Sequence, residues 1–252
     1  MPEGAAQVES GRSHECERGT QECVRHRQLE AHDLGRVGYA EALGLQKELV
    51  EKRKRGLICD QLLIVEHPNV ITLGRNGQMN NLLASEEVLR RAGIEFHPSD
   101  RGGDITYHGP GQVVGYPIFD LREWKRDVVA YVRTLEQVIM DALAEFGIEA
   151  GRVPGCTGVW VDGKKVAAIG VHISRWVTSH GFALNHTTDL TYFQYIVPCG
   201  LTKPVTSMRA LGCDASREEV VAALTRSFSN RFEFDLLSQE RQPGVPELTE
   251  TF

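Results

Sequence analysis

The stretch Gly158-Val-Trp-Val-Asp-Gly-Lys-Lys-Val-Ala-Ala-Ile-Gly-Val171 predicts a β-hairpin. Its centre, Asp162-Gly163, separates two runs that are rich in valine and other apolar residues. Asp-Gly is a preferred pair for a two-residue turn between antiparallel strands. The stretch therefore indicates that part of this chain folds as a β-sheet with hairpin connections.

Helices are predicted on both sides of this hairpin. Apolar residues recur at helical spacing over residues 124–146, and Gly147 follows as a stop signal. Three more helices are expected: one capped by Asp33 and ending near Arg55-Gly56, one over 85–93 capped by Ser85, and one opened by the capping box at Ser216 and running to Phe228. Short apolar runs predict further strands at 62–65, 70–73, 113–121 and 182–184. This mixture predicts an α+β, or mixed α/β, fold.

The 252 residues are divided into three parts by their composition. Residues 1–28 are polar and lack periodicity, which predicts a disordered leader. Residues 29–237 are long enough to form one domain with a sizeable core, and they contain the motifs described below. Residues 238–252 are polar again and are expected to be a loose tail.

The bulk chemistry of the chain excludes several classes of function. A net charge of -6 and a pI near 5.9 are atypical of a nucleic-acid-binding protein. No apolar run approaches the roughly 20 residues that span a bilayer, and the first thirty residues lack the apolar core of a secretory signal. The six cysteines match no zinc spacing, and a chain of this length needs no disulfides. We therefore expect a cytoplasmic protein that binds neither a membrane nor a structural metal.

One glycine-rich segment, Arg101-Gly-Gly-Asp-Ile-Thr-Tyr-His-Gly-Pro-Gly-Gln112, has an unusual chemistry. Glycines let a backbone approach a ligand closely, and successive free N–H groups can hold carbonyl or phosphate oxygens. A tight β-turn would explain the same composition. The spacing matches neither a dinucleotide fingerprint nor a phosphate-binding P-loop, so neither ligand is implied.

Two further segments carry reactive side chains. Lys165 lies at the start of the second hairpin strand, where it is either a solvated turn residue or an inward-facing amine. Cys199 lies in Ile196-Val-Pro-Cys-Gly200, a turn that exposes a thiol next to backbone donors, although a small loop residue would look the same. Four histidines are candidate bases: His108, His172, His180 and His186.

Together, in this order and spacing, the three segments resemble the octanoyltransferase family of lipoate synthesis. The resemblance runs from about Leu34 to Gly212 and also includes Glu66-His-Pro68, Thr72-Leu-Gly-Arg75, Gly158-Val-Trp160, His180-Gly-Phe-Ala-Leu-Asn185 and Pro198-Cys-Gly200. It implies the catalytic fold of the biotin and lipoate protein ligases, a mixed sheet flanked by helices.

The resemblance also assigns roles to residues. It implies Cys199 as the acyl-carrying nucleophile and Lys165 as its activating partner, with no cofactor and no metal. The residues implied to bind the acyl substrate are Arg101, Gly102, Gly103, Asp104, Ile105, Thr106, Tyr107, His108, Ala168, Ile169, Gly170, Gly181, Phe182 and Ala183.

The activity implied by the resemblance is the first step of endogenous protein lipoylation. Octanoyl would pass without ATP from octanoyl-acyl carrier protein to a lysine of a lipoyl domain, in 2-oxoacid dehydrogenase complexes or in the glycine cleavage H protein. Three alternatives remain at this point: an ATP-dependent lipoate or biotin protein ligase, a thioesterase, and a non-catalytic module that binds carrier proteins.

Overall fold

A computed structural model describes residues 27–197 and 204–236. The strands are β1 Arg27–Arg36, β2 Asp60–Glu66, β3 Val70–Leu73, β4 Glu95–Pro98, β5 Ile105–His108, β6 Gln112–Ile118, β7 Gly151–Val153, β8 Cys156–Val161, β9 Lys164–Ser174, β10 Val177–Asn185 and β11 Phe234–Leu236. The helices are α1 Tyr39–Lys54, α2 Glu86–Arg91, α3 Val128–Ala144 and α4 Arg217–Phe232, with short 3₁₀ helices at Met79–Asn81, Leu190–Tyr195 and Arg209–Leu211.

The strands form two mixed sheets. The larger sheet has eight strands in the order β11-β1-β2-β6-β10-β9-β8-β7, and the smaller has three in the order β4-β3-β5. Strand β1 pairs in parallel with β2 and β11, whereas the β2-β6-β10-β9-β8-β7 part is antiparallel throughout. The predicted mixed sheet flanked by helices is confirmed.

Side-chain alternation along β2 separates the two faces of the large sheet. Leu62 and Ile64 belong to the main core, which contains the apolar faces of α3 and α4. Leu63 and Val65 belong to a second cluster on the other face, where Ala42 of α1 packs. Because α3 and α4 fill one face, the other face remains for α1, the small sheet and the site described below.

The predicted hairpin and most of the predicted helices are confirmed. Asp162 and Gly163 both have positive φ, at 48° and 74°, as a tight two-residue hairpin turn requires. The side chain of Asp127 caps α3 by accepting from the N–H of Ala130 at 2.9 Å, so that this helix begins four residues after the expected start at 124. Ser85 caps α2, and Ser216 forms the predicted capping box of α4.

The helix expected after Asp33 was placed wrongly at its start. Residues 33–36 belong to β1, and α1 begins at Tyr39 after Gly38. Asp33 accepts from the N–H of Gly35 and from the guanidinium of Arg217, so it caps no helix. The predicted end near Arg55-Gly56 is correct, since Gly56 follows in the left-handed conformation.

The predicted leader and tail fall largely on residues that the structure does not describe. Arg27 and Gln28, assigned to the leader, belong to β1, so the domain begins at least two residues earlier than predicted. The rest of the leader and residues 238–252 lie outside the described ranges. Among the described residues, no helix is long and apolar enough to cross a membrane.

Candidate active site

A cavity of about 380 Å³ opens between the two sheets. Its walls come from the glycine-rich segment, from the middle of β9 and from β10, and Tyr39 of α1 contributes to its lining. The predicted acyl-binding residues that line it are Arg101, Gly103, Asp104, Ile105, Thr106, His108, Ala168, Ile169, Gly170, Gly181, Phe182 and Ala183. The structure therefore brings together three segments that are up to about eighty residues apart in the sequence.

Gly102 and Tyr107 were predicted as binding residues but are not part of this lining. Tyr107 follows Thr106 in β5, and strand alternation turns its ring to the opposite face, where it stacks on Tyr192 at 5.1 Å. Its hydroxyl donates to Oδ1 of Asn69. Gly102 donates its N–H to the carbonyl of Val171, so it holds the glycine-rich segment against β9.

The absence of side chains on glycines allows this segment to reach the sheet. A Cβ added to Gly170 would lie 2.7 Å from the carbonyl oxygen of Gly102. Arg101 is buried and donates to Thr72, with Nη2 at 2.7 Å from the carbonyl and 2.9 Å from Oγ1. These bonds and the close approach fix one wall of the cavity.

Lys165 lines the cavity, whereas its neighbour Lys164 is exposed. The ammonium of Lys165 lies 4.8 Å from the ring centroid of Trp160, which is close enough for a cation–π interaction. Its backbone N–H donates to the carbonyl of Pro204, and its carbonyl accepts from Thr206, both at 2.9 Å. Of the two interpretations of Lys165 left open by the sequence, the inward-facing amine is the one that agrees with the structure.

A buried carboxylate on α3 supports the strand beside Lys165. Glu136 is fully buried and accepts from Arg133 and Arg152, each at 2.7 Å, and from the N–H of Gly158 at 3.1 Å. A Cβ on Gly158 would meet the carbonyl of Ala167 at 2.6 Å and the methylene stem of Lys165 at 3.4 Å. Glu136 and Gly158, which has no side chain, thus shape the space in which Lys165 lies.

A chain of buried amides links His108 to the segment that follows residue 203. Nδ1 of His108 lies 2.7 Å from Oε1 of Gln112, whose Nε2 donates to Oδ1 of Asn185; Nδ2 of Asn185 donates to the carbonyl of Thr206. Because the Gln112 amide donates through its nitrogen, its oxygen must accept, and His108 carries its proton on Nδ1. Burial lowers the pKa of His108 to about 3, so its ring is neutral and unsuited to act as a general base near neutral pH.

The other three candidate histidines occupy different places. His180 lines the cavity, and its Nε2 lies 2.7 Å from Oδ1 of Asp100; burial lowers its pKa. His172 of β9 is partly buried, and its Nδ1 lies 2.7 Å from Nη2 of Arg75. His186 is bonded to the carbonyl of Ala215, away from the cavity. His180 and His108 are therefore the candidate histidines that face the site.

Cys199 lies outside the described residues. The chain reaches its segment from Val197, whose N–H donates to the carbonyl of Asn81, and leaves it at Pro204, which is bonded to Lys165. Phe193 before the segment and Val205 after it both line the cavity.

Comparison with known proteins identifies the family. Residues 38–229 match the lipoyl protein ligase A/B catalytic domain. Two curated relatives named octanoyltransferase are 66% identical over 204 residues, from Solibacter usitatus (81% of this chain, 93% of the relative), and 53% identical over 216 residues, from Koribacter versatilis (83% and 86%). The chain belongs to the lipoyl protein ligase A/B family. Like its octanoyltransferase relatives, this family member is an acyltransferase of protein lipoylation.

The fold of this family is also found in solved structures. A putative lipoate protein ligase from T. acidophilum, solved with bound lipoic acid, superposes with a TM-score of 0.67 at 18% identity, covering 84% of this chain and 88% of the other. At that identity the likeness concerns the fold alone. It agrees with the lipoate ligase-like fold that the sequence motifs predicted for the family.

The sequence did not assign several residues that line the cavity of this family member: Tyr39, Gln112, Cys156, Thr157, Asn185, Phe193 and Val205. Gln112 and Asn185 end two of the quoted motifs, and that position was the available signal. Tyr39 and Val205 gave no signal, because only the packing of α1 and of the chain after 203 brings them to the cavity. Cys156 places a thiol in the lining.

Proposed function

We propose that this acyltransferase moves an octanoyl group from octanoyl-acyl carrier protein to the target lysine of a lipoyl domain, through a thioester on Cys199. The observation that carries the proposal is the position of Lys165. It lines a largely apolar cavity, and its backbone is bonded to Pro204, five residues after Cys199 in the sequence.

The first half-reaction exchanges one thioester for another. The Cys199 thiolate attacks the octanoyl carbonyl, the bond to the phosphopantetheine sulfur breaks, and the released thiolate takes up a proton. Because the energy of the thioester is conserved, no ATP is required. Cysteine suits this step because its thiolate is both a strong nucleophile and a good leaving group.

Lys165 supplies the charge that the first step needs. A free cysteine thiol has a pKa near 8.5 and is mostly protonated at neutral pH. A nearby ammonium stabilises the thiolate and lowers the pKa of the thiol. The Trp160 ring beside Lys165 orients the ammonium without neutralising it, since its contact is a cation–π contact.

The second half-reaction forms the amide product. The amine of the target lysine attacks the Cys199 thioester, and the C–S bond breaks. The proton lost by the amine is taken up at Lys165, which is neutral at that moment because its ammonium has protonated the thiolate released in the first half-reaction. In the tetrahedral intermediate of each half-reaction, the carbonyl oxygen becomes an oxyanion. The N–H groups of the glycine-rich segment and of Gly170 or Gly200 are our candidates for stabilising it, each worth roughly 3 kcal/mol.

The cavity suits an unbranched saturated chain. Its apolar lining includes Val114, Ala168, Ile169, Phe182 and Ala183. At about 0.8 kcal/mol per buried methylene, an octanoyl tail gains roughly 5 kcal/mol of binding free energy there. Small Ala168 and Ala183 leave room beside the sheet for this tail, while the neighbouring glycines let the Arg101 segment close over it.

The proposed partners are an acyl donor protein and acyl acceptor proteins. The donor is octanoyl-acyl carrier protein, and the acceptors are the lipoyl domains of 2-oxoacid dehydrogenase complexes and the glycine cleavage H protein. The family membership supports the acceptor, since lipoylation ends on a protein lysine, and the octanoyltransferase relatives support octanoyl as the group transferred. No nucleic acid, metal or organic cofactor takes part in the proposed reaction.

An ATP-dependent ligase that activates free octanoate is the second candidate, because a lipoate protein ligase shares the fold. The two are separated by incubating the purified protein with an unmodified lipoyl domain and either octanoyl-acyl carrier protein without ATP or octanoate with ATP and magnesium. Our proposal expects octanoylated domain in the first reaction and none in the second. Product that requires ATP would overturn it.

A further inference from the structure

His180 lies where the main cavity meets a second cavity of about 320 Å³. This second cavity, called the α1 cavity, lies between α1 and the ends of β9 and β10, and Leu43 and Val50 are among its lining residues. His180 lines both cavities. Gly181, which follows it, lines the main cavity, and Ser179, which precedes it, lines the α1 cavity. The two cavities therefore adjoin at this one residue of β10.

The ring of His180 is held at the boundary from both sides. Its Nε2 donates to Oδ1 of Asp100, which lines the α1 cavity, at 2.7 Å. The ring also meets that of Tyr116, which lines the main cavity, edge-on at 6.4 Å between centroids. The backbone of His180 has a positive φ of 54°, uncommon for a residue other than glycine, and its N–H donates to Oε1 of Gln46 at 2.8 Å. The fold therefore fixes both the backbone and the ring of this residue.

His180 and Lys165 lie at opposite ends of the main cavity. In the antiparallel register of β9 and β10, the partner of His180 is Val171, six residues along β9 from Lys165. At about 3.3 Å per residue, this separation is roughly 20 Å. Ala168 and Ala183, which are partners in the same register, lie between the two ends. An acyl chain whose carbonyl lies near Lys165 therefore runs along the strands with its methyl end toward His180.

The space in front of His180 suits a chain of medium length. An extended octanoyl chain spans roughly 9 Å and a tetradecanoyl chain roughly 16 Å, because each carbon adds about 1.25 Å along the chain axis. The side chain of Lys165 and the thioester sulfur occupy the reacting end of the cavity. Octanoyl then fits in front of the His180 ring, whereas tetradecanoyl has to pass it.

We propose that the ring of His180 is a wall that sets the upper length of the acyl chain, so that the protein transfers medium-chain acyl groups and rejects long ones. The inference rests on the proposed function, because it places the reacting carbonyl near Lys165. Without the ring, a longer chain enters the α1 cavity, where it contacts Leu43, Val50 and the methylene stem of Lys54. An apolar pocket alone distinguishes chain lengths weakly, whereas a fixed wall rejects the longer chain by steric overlap.

Transfer to a lipoyl domain without ATP tests the wall, with carrier proteins that bear acyl chains of eight, ten, twelve and fourteen carbons. For the native protein we expect kcat/KM to be at least about ten-fold lower with tetradecanoyl than with octanoyl. His180→Gly removes the ring and suits the positive φ, and it should raise the tetradecanoyl-to-octanoyl ratio at least about ten-fold. The matched control is His172→Ala, which removes an imidazole from the α1 cavity alone and should keep the native ratio.

Binding of free fatty acids separates the wall from the transfer reaction. Isothermal titration calorimetry compares octanoate with tetradecanoate, each below its micelle concentration. Every methylene that reaches apolar surface strengthens binding about four-fold, so the ratio of the two affinities should be at least about ten-fold more in favour of tetradecanoate in His180→Gly than in the native protein. That result with no acyl transfer by the native protein would support the wall and overturn the proposed function.

Asp100→Ala tests the same ring from a half-exposed position, where the substitution leaves the packing of the sheet intact. It removes the acceptor that holds the ring, so use of tetradecanoyl should rise part of the way toward the His180→Gly level. Asp100→Asn keeps an acceptor oxygen for Nε2 and should keep the native ratio. A native ratio in His180→Gly, or in Asp100→Ala should the glycine variant not fold, would overturn the proposal. Equal use of the two chains by the native protein would overturn it as well.

Discussion

The backbone N–H of Lys165 donates to the carbonyl of Pro204 at 2.9 Å, and the carbonyl of Lys165 accepts from Thr206 at the same distance. The strand that carries the proposed activating lysine is therefore bonded directly to the chain that leaves the Cys199 segment. Both bonds use main-chain atoms, so they persist when the side chain at position 165 is replaced. Substitution of the Lys165 side chain therefore tests the role of its ammonium while these two bonds remain.

Replacing Lys165 with methionine removes the ammonium and keeps a side chain of similar length. We expect the transfer rate to fall by at least about 100-fold, because the thiolate loses its stabilising charge and the second step loses its proton acceptor. The pH midpoint for alkylation of Cys199, measured by mass spectrometry, should rise. Lys164→Met, at the exposed neighbouring position, is the matched control and should retain near-native activity. An unchanged alkylation profile in Lys165→Met would contradict the pairing.

Gly170→Ala tests the close approach of the glycine-rich segment to β9. The added Cβ would lie 2.7 Å from the carbonyl oxygen of Gly102, so the segment must move. We expect a loss of about 1–3 kcal/mol in unfolding free energy and a higher KM for the acyl donor. Urea unfolding and steady-state kinetics measure both.

Gly44→Ala in α1 is the control for that substitution, since a Cβ there meets no atom within 4 Å. It should leave KM unchanged and stabilise the chain by up to about 1 kcal/mol through helix propensity. If Gly170→Ala behaved in the same way, the glycine at 170 would have no role in shaping the cavity.

His108 gives the folded state a defined dependence on pH. Its pKa is about 3 in the folded chain, because burial disfavours the imidazolium, and about 6.5 when unfolded. Between these values the unfolded chain binds a proton that the folded chain does not. The contribution of His108 to the free energy of unfolding is therefore complete above pH 6.5 and is lost as the pH falls toward 3.

The stability of His108→Asn should therefore fall less steeply than that of the native chain as the pH is lowered from 6.5. The difference in slope is at most about 1.4 kcal/mol per pH unit. His67 and His180 are present in both proteins, and burial lowers their pKa values too. Part of the pH dependence of stability therefore remains in His108→Asn. Urea unfolding at several pH values gives the comparison. Parallel curves would show that His108 takes up its proton in the folded chain as well.

Glu136 is expected to be a main support of β8, the strand that pairs with β9 beside Lys165. Glu136→Leu leaves Arg152 and the N–H of Gly158 without their acceptor, which should cost about 3–5 kcal/mol of stability. Glu145→Leu breaks the exposed ion pair with Arg226, and its cost should stay below about 1 kcal/mol. Thermal unfolding compares the two variants. Equal losses of stability would mean that the buried Glu136 network stabilises the fold no more than an exposed ion pair does.

The sequence predicted those elements whose signals are local. The Asp162-Gly163 turn and the cap at Ser216 are specified by a few adjacent residues, and both were found. Strand β1 was missed because its partners β2 and β11 lie about 30 and 200 residues away, and Asp33 carries the chemistry of a helix cap. Pairing at such separation leaves no periodic trace in a ten-residue window.

The difference between local sequence signals and contacts between distant segments also applies to the site. The glycine-rich segment and Lys165 were identified because motif spacing carries them, and the structure places them around one cavity. Tyr107 was assigned to the acyl site although strand alternation turns it toward Tyr192. Cys156 received no role from its local sequence, since only the folded sheet brings this thiol into the cavity that Lys165 also lines.

The thiol of Cys156 determines the design of the central measurement. The purified chain is mixed with octanoyl-acyl carrier protein without ATP, and the intact mass is recorded for the native protein, Cys199→Ala and Cys156→Ala. The account predicts one hydroxylamine-labile octanoyl adduct on the native chain and on Cys156→Ala, none on Cys199→Ala, and discharge of the adduct by a lipoyl domain. An adduct that persists in Cys199→Ala, or no adduct on the native chain, would contradict the Cys199 thioester.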